Sequence, residues 1–234
     1  MKAKEAVVLA GGFGTRLQSV VSDLPKPMAD VGGRPFLTYV LDELCAYRFT
    51  HAVLSTGYKH ECIAQYFGDS YRSLRLSYAQ ETSPLGTGGG MLNALQHTVS
   101  DRVCVLNGDT LFCADLDALQ AFGASHNALL TMALRHVEDT SRYGRVALGG
   151  DGRILAFVEK NKASGPGYIN GGIYWLSPAL FEGRAVGEVF SFEKEVLEAQ
   201  YSTKAFYAQP SEEYFIDIGI PEDYARAQKE LFSF

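Results

Sequence analysis

A basic surplus is missing from this chain. Its 21 lysines and arginines face 27 aspartates and glutamates, a formal net charge of −6. That excludes the basic stripe of a nucleic-acid surface, yet leaves room for a few cations focused in a cleft. Cysteine is scarce too: only Cys45, Cys62, Cys104 and Cys113 occur, without a C-x-x-C pair, so they read as small buried hydrophobes. The histidines (51, 60, 97, 126 and 136) are scattered. No zinc spacing and no recognisable pairing with a Ser or Cys nucleophile emerges from them. Long apolar runs are absent, and the one near the N-terminus stops at a glycine turn, too short for a signal peptide or a membrane span. The expectation is a cytoplasmic protein with neither membrane nor nucleic-acid partners. No internal repeat, low-complexity tract or linker interrupts it.

What is present is an ordinary globular composition, 47 % hydrophobic and 21 % charged over 234 residues, enough for a substantial core without disulfide or metal staples. Short β-rich runs (6–10, 52–55, 74–79, 103–106) alternate with helical ones (35–47, 61–67, 88–97). This alternation specifies a parallel sheet covered on both faces. After residue 128 the pattern turns strand-rich (129–137, 146–148, 154–158, 169–176), with glycine turns between. A helix at 192–200, a strand at 205–208 and a helix from Pro221 close the chain. One Rossmann-like α/β domain is expected, with a mostly parallel central sheet flanked by helices and a smaller antiparallel subregion.

The first strand runs into Leu9-Ala10-Gly11-Gly12-Phe13-Gly14-Thr15-Arg16-Leu17. Glycines there let backbone N–H groups approach phosphate oxygens closely. It is not a Walker loop, which needs GxxxxGK[ST]. A dinucleotide fingerprint is opposed by Leu17, which stands where a small residue is required. What remains is a glycine loop with its own cation, Arg16, and a lysine clamped in Leu24-Pro25-Lys26-Pro27-Met28, read as extended. Arg16 can fork onto two phosphate oxygens; Lys26 supplies a point charge. Taken alone, either cation also fits a solvated surface loop.

These two stretches together resemble the signature of the sugar-nucleotide pyrophosphorylases, the sugar-1-phosphate nucleotidyltransferases. Further stretches agree in order: Pro84-Leu85-Gly86-Thr87-Gly88-Gly89, Leu106-Asn107-Gly108-Asp109, Glu159-Lys160, Asn170-Gly171-Gly172-Ile173-Tyr174 and Asp217-Ile218-Gly219. The likeness runs essentially end to end. A closer likeness to one guanylyl-transferring branch is carried by 23–29, Phe190-Ser191-Phe192-Glu193 and 214–224.

The resemblance implies a reaction and a site. A sugar 1-phosphate oxygen attacks the α-phosphorus of a nucleoside triphosphate and pyrophosphate leaves. That nucleophile is already largely ionised near neutrality, since its second pKa is about 6. Catalysis then reduces to positioning and charge neutralisation. Arg16, Lys26 and Asp109 are the implied catalytic residues. Leu9, Ala10, Gly11, Gly12, Gly14, Thr15, Gly86, Thr87, Asn107 and Gly108 join them around the nucleotide, within a nucleotide part spanning about 1–127. Gly144, Glu159, Lys160, Asn170 and Gly171 are implied for the sugar phosphate, in a part spanning about 128–234. Asp109 and Asp217 are implied as Mg²⁺ ligands. Glu81 stands where thymidylyl- and uridylyltransferases of the family usually carry Gln. A carboxylate only accepts hydrogen bonds and so matches the N1–H and N2–H₂ donors of guanine, which favours GTP. Left open are a guanylyltransferase for mannose 1-phosphate, a uridylyltransferase for another sugar 1-phosphate, a silent nucleotide-sugar sensor, and, further off, a nicotinamide or flavin oxidoreductase.

Overall fold

The computed structural model describes residues 4–12, 17, 24–158 and 164–233. In chain order, the first elements are β1 (Glu5–Leu9), β2 (Asp30–Val31), β3 (Arg34–Pro35), α1 (Leu37–Ala46), β4 (His51–Thr56), α2 (His60–Phe67), β5 (Ser70–Tyr71) and β6 (Leu74–Gln80). There follow α3 (Gly86–Leu95), β7 (Val103–Asn107), β8 (Thr110–Phe112), α4 (Leu116–Ser125), β9 (Leu130–Val137), β10 (Arg145–Leu148), β11 (Ile154–Val158) and β12 (Gly167–Leu176). The chain closes with a π-wound turn (Glu193–Glu198), β13 (Phe206–Pro210), β14 (Phe215–Asp217) and α5 (Pro221–Glu230).

Among the described residues a ten-stranded mixed sheet runs in the order β11-β10-β12-β7-β1-β4-β6-β5, with β9 paired to both β12 and β13. Its middle strands β7, β1, β4 and β6 are parallel, whereas β12 lies antiparallel to β7, β9 and β10. The aliphatic runs of β1, β4 and β7 are buried almost throughout, as strands covered on both faces must be. Val7 and Val8 show the alternation directly. Val8 joins Leu37, Leu41 and Leu44 of α1 in one core, and Val7 joins Met91 and Leu95 of α3 in the other, because successive strand side chains point to opposite faces. Among the described residues no helix is long and apolar enough to cross a membrane.

Several expectations need correcting. The Lys26–Met28 segment is a 3₁₀ turn, not extended backbone. Met28 N–H closes it on the Pro25 carbonyl at 2.7 Å, and Pro27 fits inside because that position needs no N–H. Helix α3 begins at Gly86, earlier than expected, since its glycines disguise a helical start. Helix α4 has no counterpart among the expected elements, although its cap is legible. The Asp115 carboxylate accepts from the N–H groups of Asp117 and Ala118 at 3.0 and 2.9 Å, an N-cap. The helix expected at 192–200 is wound as a π turn over six of its residues. Cys104 is buried, but Cys45, Cys62 and Cys113 are half-buried; all four are free thiols.

Candidate active site

Two cavities meet at the carboxyl ends of the parallel strands, where open α/β sheets place their ligands. The larger, about 480 Å³, is walled by the turn after β1 (Gly11, Gly12), by Glu81 and by the start of α3. The smaller, about 280 Å³, is walled by Gly144, Asn170, Gly171 and the π turn, with the rings of Tyr143, Phe157 and Phe215 alongside. Asn107 and Glu193 line both.

The larger cavity collects Leu9, Gly11, Gly12, Glu81, Gly86, Thr87, Asn107 and Asp109 of the expected nucleotide residues. Ala10 and Gly108 lie buried beneath it and shape it instead. The Gly108 N–H donates to the Leu9 carbonyl at 2.9 Å, and a Cβ on Gly108 would stand 2.7 Å from that oxygen. Only glycine lets the two turns approach this closely. Glu81 is not a solvated loop residue. Its Oε1 accepts from Ser55 Oγ at 3.1 Å and its Oε2 from the Leu85 N–H at 3.0 Å. Gly90 makes room for it, since a Cβ there would stand 2.8 Å from Glu81 Oε1.

The carboxylate pair is brought together by strand register. Asp109 leads into β8 and Asp217 ends β14, and these strands pair antiparallel with Asp217 opposite Thr110. The Ile218 N–H donates to the Asp109 carbonyl at 3.1 Å, locking the two backbones. Lys26 Nζ lies 2.6 Å from Asp109 Oδ2 and 3.6 Å from Asp217 Oδ1. Gly219 leaves the space for this cluster, for a Cβ there would stand 2.9 Å from Asp217 Oδ1 and 3.3 Å from Lys26 Nζ. Burial and the Asp109 charge push the Asp217 carboxyl above its ordinary pKa, with Lys26 opposing. Asp217 Oδ1 is buried and accepts no hydrogen bond from the described residues. Two carboxylates converging on one ammonium, one with an unused oxygen, fit a hard divalent cation such as Mg²⁺, which takes one or two carboxylates and completes its shell with phosphate and water. Among the described residues no third His, Cys, Asp or Glu joins them.

The smaller cavity arises because β12 changes partner. Its residues 173–176 pair with β7 and residues 168–169 with β10, and its register against β9 shifts between Asn170 and Tyr174. Gly172, at φ +74°, makes the bend, and a Cβ there would stand 2.6 Å from Asn107 Nδ2. Asn170 braces the bend, accepting from the Gly172 N–H at 3.0 Å and donating to the Tyr174 hydroxyl at 2.5 Å. The loop carrying Tyr143 and Gly144 is tied to α5 by Arg142, which donates to the largely buried Asp223 at 2.8 Å. Gly14, Thr15, Arg16, Glu159 and Lys160 lie outside the described residues. Sequence reasoning missed Ser55, Gly57 and Tyr58 in the larger cavity and Glu193, Lys194 and Glu198 in the smaller. Of these only Glu193 stood in a stretch already singled out, 190–193.

A glycine-lined cleft at strand ends, with a carboxylate–lysine cluster at the meeting of two cavities, defines a scaffold for joining two phosphorylated substrates. The chain matches the nucleotidyl transferase family over residues 5–233, and it belongs to that family. It is 47 % identical to the D-glycero-alpha-D-manno-heptose 1-phosphate guanylyltransferase of Aneurinibacillus thermoaerophilus, over 97 % of this chain and 98 % of that one. It is 39 % identical to the enzyme of the same name from Campylobacter jejuni subsp. jejuni serotype O:2, over 94 % and 96 % of the two chains. The crystal structure of HddC from Yersinia pseudotuberculosis complexed with GMP-PN superposes with a TM-score of 0.84 at 36 % identity, covering 97 % of this chain and 99 % of that one.

Proposed function

We propose that the chain transfers GMP from GTP to D-glycero-alpha-D-manno-heptose 1-phosphate, forming GDP-heptose and pyrophosphate. The observation that carries this is the convergence of Asp109, Asp217 and Lys26 where the two cavities meet. The heptose and the guanine are supported by relatives of that name, 47 and 39 % identical over nearly the whole chain. A similar fold bound to GMP-PN supports the guanine further.

In this reading the larger cavity takes GTP, with Gly11 and Gly12 against the phosphates and Glu81 accepting from the guanine edge. The smaller takes the sugar phosphate, its hydroxyls facing acceptors and its ring faces meeting aromatic walls. Residues to about 127 then serve the nucleotide and those from about 128 the sugar phosphate, with Glu159 and Lys160 at its hydroxyls and phosphate. A sugar-phosphate oxygen forms a bond to the α-phosphorus while the bond to the α,β-bridging oxygen breaks, and that electron pair leaves with pyrophosphate. No general base is required, because the nucleophile is already ionised. Lys26, pinned by Asp109, and Arg16 supply positive charge where the bridging oxygen becomes anionic. Asp109 and Asp217 would hold Mg²⁺, which, when bound, screens the converging phosphates and polarises the α-phosphoryl oxygen.

Pyrophosphate release by the purified protein with GTP, the heptose 1-phosphate and MgCl₂ tests the proposal. Release is expected only when all three are present. Release that ignores omission of the sugar phosphate would indicate hydrolysis and refute transfer.

A further inference from the structure

Glu193, which lines both cavities, is held in an unusual way. Its Oε2 accepts from the Thr87 hydroxyl at 2.6 Å and from the Ser191 hydroxyl at 3.0 Å. The Thr87 oxygen accepts in turn from the Phe192 N–H at 2.9 Å. Thr87 is the second residue of α3, on the nucleotide side; Glu193 opens the π turn, on the sugar side.

The backbones on either side are joined as well. The Phe190 N–H donates to the Leu85 carbonyl at 3.0 Å, and the Gly88 N–H donates to the Phe190 carbonyl at 3.1 Å. Three glycines of α3 permit this contact. A Cβ would stand 2.1 Å from the Phe190 ring at Gly88, 2.3 Å from the Glu188 carbonyl at Gly89, and 2.5 Å from the Phe190 carbonyl at Gly86. Glycine costs a helix interior about 1 kcal/mol relative to alanine, so the close approach explains Gly88 and Gly89 there, while Gly86, first in the helix, also holds φ +73°.

The π winding gives the link a consequence. Glu193, Lys194 and Glu198 all line the smaller cavity. In an α-helix residues five apart diverge by about 140°, whereas the wider π turn, closed by i→i+5 hydrogen bonds, brings them towards one face. A shift of Glu193 therefore moves the wall that faces the sugar.

We propose that the Thr87–Glu193 hydrogen bond is a latch that couples the two cavities. It holds the sugar-facing π turn against the nucleotide-facing end of α3, so that filling one cavity favours filling the other. The inference rests on the function proposed above. Glu193 acts in it as a positioning residue, through Thr87 and the π turn. Its carboxylate is tolerated between two anionic substrates because two hydroxyl donors hold it.

The test is calorimetric. With Mg²⁺ present, the affinity of a non-hydrolysable GTP analogue is measured alone and with saturating heptose 1-phosphate, and the affinity of the sugar phosphate alone and with the analogue. The wild type should show reciprocal tightening. Thr87→Val and Glu193→Ala should each lower that coupling about tenfold and raise KM for the sugar phosphate more than they lower kcat. The double variant should be no worse than either, the sign of one shared interaction. Thr87→Ser keeps the hydroxyl and Glu193→Gln keeps an acceptor oxygen, so each should recover most of the coupling that its partner substitution loses. Thr87 is exposed and Glu193 half-buried, and circular dichroism checks that the variants fold. Three results would overturn the latch: no coupling in the wild type, unchanged coupling in Thr87→Val and Glu193→Ala, or Glu193→Gln as damaging as Glu193→Ala. Should the wild type turn over a different nucleotide and sugar phosphate, the proposed substrates fail while the latch is still measured with that pair.

Discussion

Replacing Glu81 by Gln changes the proposed base contact while leaving the protein contacts nearly intact. The Leu85 N–H, 3.0 Å from Glu81 Oε2, can only donate, so the amide oxygen of Gln must take that side. The amide nitrogen then faces Ser55 Oγ, now 3.1 Å from Glu81 Oε1. The Ser55 hydroxyl can accept from it and turn its own proton to the Gly90 carbonyl, 3.4 Å away. Folding stability should hardly move. The edge offered to the base does change: one acceptor becomes a donor, opposite guanine N1–H or N2–H₂. A lost charge-assisted hydrogen bond and an unpaired buried donor together cost about 2–3 kcal/mol. Uracil, with acceptors flanking its N3–H, escapes that clash. The ratio of kcat/KM for GTP over UTP should therefore fall roughly 30- to 150-fold, at about 1.4 kcal/mol per decade. Steady-state pyrophosphate release with each triphosphate gives the ratio, and a melting curve confirms the fold. A ratio that moves less than about threefold, beside an unchanged melting temperature, refutes the contact.

The remaining predictions concern the carboxylate–lysine cluster and the far end of the sheet. Asp109→Asn and Asp217→Asn should each cut kcat by about two orders of magnitude or more with melting nearly unchanged; turnover near wild type in both would remove them as metal ligands. Gly219→Ala pushes a methyl to within 2.9 Å of Asp217 Oδ1 and should lower kcat at least about tenfold, the pyrophosphate assay again deciding. Burial raises the pKa of Glu5, but hydrogen bonds from His51, Ser100 and Val99 outweigh it and hold the carboxyl below its ordinary value. Glu5 thus adds stability above the unfolded carboxyl pKa that disappears as pH falls through the folded one. Chemical denaturation of Glu5→Gln should show lower stability at neutral pH and a shallower loss below about pH 5; parallel profiles for variant and wild type would contradict this.

The parallel half of the fold was legible because its strands are continuous aliphatic runs. β1, β4, β6 and β7 stand within a residue or two of their expected places. What escaped depends on tertiary contacts. β8 and β14 are three-residue strands whose pairing is visible only once Asp109 and Asp217 meet. The glycines of α3 look like a loop until Phe190 is seen lying on them. Ser55 and Tyr58 carry no motif and enter the larger cavity because β4 ends there. The pairing of Lys26 with both aspartates was equally invisible, since the proline turn fixes only the backbone and not where the ammonium points.

The most direct measurement offers the purified protein equal concentrations of GTP, ATP, UTP and CTP. With them goes an equimolar mixture of D-glycero-alpha-D-manno-heptose 1-phosphate, mannose 1-phosphate and glucose 1-phosphate, in the presence of MgCl₂, and the products are resolved by mass spectrometry. The proposed function predicts GDP-heptose as the dominant nucleotide sugar, with one pyrophosphate per molecule formed. A dominant product carrying uridine, or carrying mannose in place of heptose, would contradict it.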